Sequence, residues 1–239
     1  MERKIILALN DLEIAQAIDL LRTLKELIVF LYAFKLQDLF LKGGRNAINR
    51  IRQFDGINSS HMLAMVDLKF YDIPRAVFSM TKAAVDEGAD IVTVHIEGSM
   101  AMMKMALAAN SKVQYQVWGV TSLTSISEEE NLRNAGRSTQ QLVSERVEQA
   151  EEAGLHGVVC SSLEAAFVSS RPKFKARGMV IATPGVRSEG ANRHDQQRVD
   201  TPANALRQGA HYVIVGREVT ESRSPYEALK RIVEDIRNV

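Results

Sequence analysis

The chain has 239 residues, of which 46% are hydrophobic and 25% charged, and its formal net charge is +1. This composition is ordinary for a globular protein, and the small net charge argues against a nucleic-acid-binding surface. No apolar run approaches the roughly 20 residues that a membrane-spanning helix needs. The single cysteine, Cys160, excludes an intrachain disulfide and lies in an apolar run that predicts a buried thiol. The N-terminus has no signal-peptide pattern, so we expect a cytoplasmic protein.

Short β-type runs alternate with helix-type segments along the whole chain. We predict eight strands, at Lys4–Leu9, Ile28–Lys35, Met62–Lys69, Ile91–His95, Val113–Thr121, Gly157–Ser161, Met179–Thr183 and Tyr212–Val215. Helical spacing of apolar residues predicts helices over Leu12–Glu26, Asp38–Phe54, Val77–Gly88, Met100–Ala109, Thr139–Gly154, Leu163–Ser170, Pro202–Gly209 and Pro225–Asn238. Uninterrupted alternation favours parallel strands with helical crossovers. The sequence therefore predicts a single-domain (β/α)8 barrel over residues 1–239, with a doubly wound open sheet as the alternative.

The segment Asp67-Leu-Lys-Phe-Tyr-Asp-Ile-Pro74 follows the third predicted strand. Residues two apart on a strand share a face, so Asp67 and Lys69 should point to the same side. Pro74 should already have ended the strand, which leaves Asp72 just beyond it. Two carboxylates would then flank one lysine, and each nearby anion favours the charged ammonium. This pattern predicts a fixed proton donor, suited to a reaction in which negative charge develops on carbon. A solvated ion-pair cluster is the alternative.

The loop after strand five, Thr121-Ser-Leu-Thr-Ser125, supplies several hydroxyl groups. It continues into a polar stretch in which Glu128-Glu-Glu130 should be a solvent-facing loop. His95 ends strand four and could line the mouth of the barrel. The other histidines form no metal-ligand spacing, which argues against a zinc site; they are His61, His156, His194 and His211.

Arginines follow strands seven and eight, the strand ends at which barrels commonly bind phosphate. Arg187 lies near the start of a long polar loop over residues 184–198, and strand eight ends in Val215-Gly-Arg217. A glycine lets backbone N–H groups approach a ligand, and an arginine fork beside it matches phosphate geometry. Arg187, Gly216 and Arg217 therefore predict a phosphate site, with surface arginines as the alternative reading.

Six segments together resemble the orotidine 5′-monophosphate decarboxylase family. They are Asp67-Leu-Lys-Phe-Tyr-Asp-Ile-Pro74, Val120-Thr-Ser-Leu-Thr-Ser125, Gly157-Val-Val-Cys-Ser161, Thr183-Pro-Gly-Val-Arg187, Asp195-Gln196 and Val215-Gly-Arg217. They occur in the family's order and at barrel-strand spacing, so the resemblance covers essentially the whole chain. It implies conversion of orotidine 5′-monophosphate to UMP in pyrimidine synthesis, without a metal or organic cofactor. It also implies a homodimer with shared active sites.

The resemblance further implies a role for each matching residue. Lys69 would protonate C6 of the pyrimidine as carbon dioxide leaves, and Asp67 would lie beside the departing carboxylate. Lys35 would be the second lysine of the charged network, and Asp72 would reach across the dimer interface into the neighbouring site. Thr124 would hydrogen-bond the pyrimidine ring. The implied substrate-binding residues are Asn10, Ile73, Thr124, Arg187, Gln196, Gly216 and Arg217, of which Arg187, Gln196, Gly216 and Arg217 would hold the phosphate.

Two positions depart from the family pattern, both on the ribose side of the implied site. Asn10 stands where strand one usually ends in aspartate, and Ala76 stands where a threonine often follows the Ile73-Pro74 ending. Two other functions therefore stay open. Magnesium-dependent 3-keto-L-gulonate 6-phosphate decarboxylases and hexulose-phosphate synthases share the Asp-x-Lys-x-x-Asp pattern. A non-catalytic nucleotide-binding barrel is the other alternative. The Ile-Pro ending and the Leu-Thr-Ser loop favour the decarboxylase.

Overall fold

Eight parallel strands close into a barrel in chain order. The computed structural model describes residues 3–54, 62–109, 114–188, 200–237 and 239. The strands are β1 (Ile5–Ala8), β2 (Leu31–Leu36), β3 (Leu63–Phe70), β4 (Ile91–His95), β5 (Gln116–Val120), β6 (Gly157–Val159), β7 (Val180–Thr183) and β8 (Tyr212–Val215). Each strand pairs with the next, and β8 returns to pair with β1. The predicted (β/α)8 barrel is confirmed, and the open-sheet alternative is wrong.

Helices connect the strands of the barrel. They are α1 (Ile14–Thr23), α2 (Asp38–Arg52), α3 (Pro74–Asp86), α4 (Met100–Leu107), α5 (Glu128–Ala135), α6 (Thr139–Ala153), α7 (Ser162–Ser170), α8 (Pro172–Ala176), α9 (Pro202–Arg207), α10 (Arg217–Thr220) and α11 (Pro225–Ile236). Several begin with proline at a first-turn position, where its missing N–H is not needed. Within the described ranges, no helix is long and apolar enough to cross a membrane.

Helix α5 corrects the prediction of a loop at Glu128-Glu-Glu130. The hydroxyl of Ser127 accepts a hydrogen bond from the backbone N–H of Glu130, and the carboxylate of Glu130 accepts one from the N–H of Ser127. This capping box satisfies donors that a helix start leaves open, and the three acidic residues of the first turn favour the positive end of the helix dipole. The solvent-facing orientation of Glu128 and Glu129 is confirmed.

The start of the second strand also differs from the prediction. Residues Ile28–Phe30 form a 3₁₀ turn, and β2 begins only at Leu31. The alignment of β1 with β2 shifts by one residue between Ile5 and Ile6. The turn lengthens the connection between β1 and Lys35. The predicted start of strand five at Val113 lies outside the described residues.

The barrel interior is filled by small and medium apolar side chains and by one stack of aromatic rings. The Tyr32 and Tyr212 rings stack with centroids 3.9 Å apart, and the Trp118 ring lies 5.8 Å from the Tyr212 ring at an interplanar angle of 11°. These rings come from β2, β8 and β5, so the stack crosses the lumen. A larger apolar layer lies between the strands and the helices. It includes Cys160, whose predicted burial is confirmed.

A repeated hydrogen-bond pattern closes the amino end of the barrel. The residue just before each of β4, β6 and β8 accepts, through its side chain, a hydrogen bond from the backbone N–H of a residue on the preceding strand. The pairs are Asp90 with Ala64 at 2.7 Å, His156 with Val117 at 3.1 Å, and His211 with Ile181 at 3.1 Å. Each histidine accepts through Nδ1, which requires a neutral ring. Burial lowers the pKa of both His156 and His211 and so favours that neutral form.

Candidate active site

A bulge at the end of β3 presents the candidate proton donor to the mouth of the barrel. Val66 pairs with Val92 of β4, and Phe70 pairs with Val94. Between these pairs β3 has three residues, 67–69, where β4 has only one. Lys69 adopts a φ of 49°, in the left-handed region that residues other than glycine seldom occupy. The bulge turns the side chain of Lys69 back toward that of Asp67.

Asp67 is the centre of a buried charged network. One of its oxygens, Oδ2, accepts hydrogen bonds from the Nζ atoms of Lys35 and Lys69, each at 2.8 Å. The other oxygen, Oδ1, accepts from the hydroxyl of Thr93 at 2.8 Å. Burial would raise the pKa of the Asp67 carboxyl, but the two lysines outweigh burial and hold this pKa below its ordinary value. Asp67 is therefore a carboxylate held between two ammonium groups.

Asn10 sits at the edge of this network, beside Lys35. The Nζ atom of Lys35 lies 3.4 Å from Oδ1 of Asn10, and Nδ2 of Asn10 donates to Oε1 of Gln37 at 3.0 Å. Gln37 thereby fixes the Asn10 amide with its oxygen toward the lysine. Sequence reasoning missed Gln37, which lies just past the end of β2 as the N-cap residue of α2. Asn10 thus accepts a hydrogen bond from Lys35 without adding a negative charge to the network.

A cavity of about 500 Å³ opens at the carboxyl ends of the strands. Eight of the sequence-predicted site residues line it together: Asn10, Lys35, Asp67, Lys69, Thr124, Arg187, Gly216 and Arg217. Polar residues of the lining that the prediction missed are Asp11, Gln37 and Thr220. The charged network and the two arginines therefore share one cavity.

The arginine side of the cavity is built by the ends of β7 and β8. Arg187 is buried, and its guanidinium donates to the carbonyl oxygen of Val186 at 2.7 Å. The backbone N–H of Ser188 donates to the carboxylate of Glu218 at 3.1 Å, which fastens the chain after β7 to α10. A Cβ atom on Gly216 would lie 3.4 Å from the Cβ of Ala8, so the chain here passes close to β1. The packing holds both arginines at adjacent strand ends.

Some of the predicted site residues do not reach the cavity within one chain. Asp72 and Ile73 are exposed outside it, and the carboxylate of Asp72 accepts the N–H of Ile73 at 2.6 Å. The prediction that Asp72 flanks Lys69 within the same chain is wrong, because the chain turns into α3 and carries Asp72 outward. Ala76 lies in the first turn of α3 and likewise does not line the cavity. Gln196 lies outside the described residues.

His95 contacts the segment beyond the bulge rather than the cavity. Its ring lies edge-on to the ring of Tyr71, with centroids 5.9 Å apart. Burial lowers the pKa of His95, and the positive charge of Lys69 lowers it further. A neutral imidazole is the form expected here. Across the described part of the chain, no group of three or more His, Cys, Asp or Glu side chains is placed to hold a metal ion.

The sequence and the fold are similar to one group of known proteins. The pattern of the orotidine 5′-phosphate decarboxylase / HUMPS family matches residues 3–232. Orotidine 5′-phosphate decarboxylase of Streptococcus suis (strain 05ZYH33) is 36% identical over 207 residues, which cover 86% of this chain and 85% of the relative. The enzyme of the same name from Methylacidiphilum infernorum is 34% identical over 236 residues, covering 98% and 97%. The crystal structure of orotidine 5′-phosphate decarboxylase from Lactobacillus acidophilus superposes with a TM-score of 0.76 at 26% identity, covering 98% and 99%.

Proposed function

Because the chain belongs to the orotidine 5′-phosphate decarboxylase / HUMPS family, we propose that it converts orotidine 5′-monophosphate to UMP and carbon dioxide, a step of pyrimidine biosynthesis carried out in the cytoplasm. The observation that carries this proposal is the placement of Lys69 and Lys35 on one carboxylate, in the cavity that also holds two arginines.

Decarboxylation breaks the bond between C6 of the pyrimidine and its carboxylate. The electron pair of that bond stays on C6, carbon dioxide leaves, and Nζ of Lys69 gives its proton to C6 to complete UMP. Lys69 then regains a proton from water. Two ammonium groups against one carboxylate leave the network with a net positive charge, which stabilises negative charge that develops on carbon. The reaction needs neither metal nor organic cofactor, because these fixed charges supply the stabilisation.

Asp67 has a second part in this reaction. Its pKa is lowered, so it remains ionised and keeps both lysines in place. The substrate carboxylate would enter beside it, and the repulsion between the two anions disappears when carbon dioxide leaves. A bound carboxylate is thereby disfavoured relative to the transition state, in which the charge has moved to C6.

The remaining lining residues bind the parts of the substrate that do not react. Arg187 and Arg217 would hold the phosphate, with the backbone at Gly216 and with Gln196. Thr124 would contact the pyrimidine ring, and Asn10 the ribose. Phosphate binding is remote from C6, yet its binding energy can drive closure of the site and so raise the rate.

We propose a homodimer in which each chain completes the other's site. Tyr71 is 60% and Ile73 69% exposed, and they flank Asp72 beside the mouth of the cavity. Apolar side chains exposed in one patch are typical of a surface that a partner covers. A second copy seated there would bring its Asp72 and Ile73 to the cavity of the first chain.

A magnesium-dependent sugar-phosphate decarboxylase or synthase remains the second candidate, because such enzymes share the Asp-x-Lys-x-x-Asp pattern. The ion pairs of Asp67 favour the first candidate, since a metal would have to displace a lysine from Oδ2. A third candidate is nucleotide binding without catalysis, motivated by Asn10.

One experiment separates the three candidates. The purified protein is incubated in separate reactions with orotidine 5′-monophosphate and with 3-keto-L-gulonate 6-phosphate, each with and without EDTA. Loss of the nucleotide is followed by ultraviolet absorbance, and loss of the sugar phosphate by chromatography. Turnover that EDTA leaves unchanged supports the proposed function. EDTA-sensitive turnover of a sugar phosphate, without loss of the nucleotide, selects the second candidate. Binding of UMP without turnover of either substrate selects the third.

A further inference from the structure

Thr93 lies at the centre of β4 and is fully buried behind the charged network. Its hydroxyl oxygen accepts the backbone N–H of Lys69 at 3.0 Å, and the hydroxyl donates to Oδ1 of Asp67 at 2.8 Å. A hydroxyl has a single hydrogen. The N–H of Lys69 donates to the Thr93 oxygen, so the hydroxyl hydrogen of Thr93 is free to be donated to Asp67. One side chain therefore bonds both the backbone of Lys69 and the carboxylate that holds its ammonium group.

The bulge explains why such a residue is needed opposite residues 67–69. Where β3 has three residues against one on β4, the regular ladder of backbone hydrogen bonds is interrupted. The hydroxyl of Thr93 supplies the acceptor that the N–H of Lys69 would otherwise lack. The left-handed backbone of Lys69 persists only where its surroundings hold it. Thr93 is the neighbour that bonds this backbone from the adjacent strand.

We propose that Thr93 is a positioning residue for the decarboxylation, which aims Lys69 through the bulge and fixes the Asp67 carboxylate between the two lysines. The proposal rests on the proposed function of the site. Thr93 is not part of the cavity lining, so it acts through Asp67 and Lys69 rather than on the substrate.

Burial alone does not account for the two hydrogen bonds of Thr93. Thr81 on α3 and Thr183 at the end of β7 are also fully buried, and within the part of the chain that the structure describes their hydroxyl groups have no hydrogen-bond partner. These threonines pack as valine would. Thr81, which lies away from the cavity, therefore offers a matched control for removing a buried hydroxyl without removing a hydrogen bond.

The test compares Thr93→Val, which keeps the shape and removes the hydroxyl, with Thr93→Ser, which keeps the hydroxyl. Thr93→Ala serves as a second variant without the hydroxyl in case valine disturbs packing. We expect Thr93→Val to lower kcat for orotidine 5′-monophosphate by about 10- to 100-fold, the loss typical of a slightly misplaced catalytic group. Binding of UMP should stay within about threefold, since the phosphate and ring contacts are untouched. Thr93→Ser should recover most of the lost kcat.

The pH profile gives a readout that a merely structural role would not move. Without the hydroxyl, the Asp67 carboxylate loses a hydrogen bond that favours its charged form, so the acidic limb of kcat/KM should move to higher pH. The Thr81→Val control should change neither kcat nor the profile.

Each outcome decides between the inference and the function on which it rests. Wild type that binds UMP but consumes no orotidine 5′-monophosphate would overturn the proposed function, and the role of Thr93 with it. An active wild type with an equally active Thr93→Val would overturn the inference alone. Equal losses in Thr93→Val and Thr81→Val, or failure of both hydroxyl-free Thr93 variants to fold, would make Thr93 a packing residue and also overturn it.

Discussion

The two ends of the barrel use polar side chains in opposite ways. At the amino end, Asp90, His156 and His211 bond the backbone of the neighbouring strand, and the histidines are held neutral. At the carboxyl end, Lys35, Asp67 and Lys69 bond one another and keep their charges around an open cavity. The first arrangement completes the fold, and the second leaves charge available to a ligand. Substitutions at the amino end should therefore change stability, and those at the carboxyl end activity.

The largest expected effect is that of Lys69→Ala at the carboxyl end. Removing the proton donor should lower kcat by at least about 10³-fold, within the range that general acid catalysis supplies. The fold should persist, because Lys35 still pairs with Asp67. Loss of orotidine 5′-monophosphate is measured by absorbance and the fold by circular dichroism. Lys82→Ala, which removes an exposed lysine paired with Asp86, is the control. Activity within tenfold of wild type would remove Lys69 from the mechanism.

A second prediction asks whether the carboxyl end of one chain is completed by another. Lys69→Ala and Asp72→Ala should each be nearly inactive as homodimers. Mixing them should form heterodimers with one doubly altered site and one intact site, which restores activity to at most about half per heterodimer if the sites are independent.

Subunit exchange in that mixture is shown independently by a tag on one variant. Proven exchange without recovery of activity would mean that Asp72 does not serve the partner's site.

A third prediction concerns the arginine side of the same cavity. Arg217→Ala should weaken UMP binding by roughly 2–4 kcal/mol, because a charge-assisted contact to phosphate is lost from a partly desolvated site. Uridine, which lacks the phosphate, should bind nearly as it does to wild type. Titration calorimetry measures both ligands, with the exposed Arg223 replaced by alanine as the control. Equal losses for nucleotide and nucleoside would show that Arg217 is structural.

A fourth prediction moves to the amino end. His156→Phe leaves the N–H of Val117 without its acceptor, which should lower the free energy of unfolding by about 1–3 kcal/mol. His156→Gln offers a replacement acceptor and should lose less. Denaturant unfolding measures the change, and kcat at 25 °C should stay within about twofold of wild type. A variant with full stability and impaired turnover would contradict the division between the two ends.

The smallest expected effect is a pH dependence that distinguishes the two ends. The lowered pKa values of His156 and His211 mean that the unfolded chain binds protons more readily than the folded one. The contribution of these two histidines to the free energy of unfolding is fully present above the ordinary histidine pKa of about 6.5. It is lost as the pH falls through the lower pKa values that they have in the folded chain. Asp67, whose pKa is also lowered, adds its loss only below about pH 4. Unfolding measured from pH 7 to 5 should show a fall that the double variant His156→Gln, His211→Gln reduces.

The barrel was predictable because its strands are short apolar runs separated by helical periodicity. Helix α5 was missed because it has few apolar residues, although its Ser127-x-x-Glu130 capping box was readable. The apolar run Ile28–Phe30 looks like a strand to any pattern of hydrophobicity, yet it forms a 3₁₀ turn.

The site was predictable where chemistry and spacing lie within one strand, as for Asp67 and Lys69. Thr93 could not be found in this way, because its role depends on the alignment of β4 with a bulge in β3. No local sequence pattern predicts that bulge, because the residue with the left-handed backbone is Lys69 and not the glycine that usually marks such a conformation. The outward position of Asp72 likewise depends on how α3 leaves the strand.

The aromatic stack in the lumen makes the chain a natural optical probe of its own folding. Trp118 is the only tryptophan in the sequence, and it stacks on Tyr212, whose ring in turn stacks on Tyr32. The strands that carry these rings are not neighbours in the barrel, so the stack can form only when the sheet has closed. Tryptophan fluorescence and near-ultraviolet circular dichroism should therefore follow closure itself, while far-ultraviolet dichroism follows the helices. A folding intermediate with its helices formed and its sheet still open would show far-ultraviolet dichroism without the near-ultraviolet and fluorescence signals of the stack, so no added dye is needed to detect it.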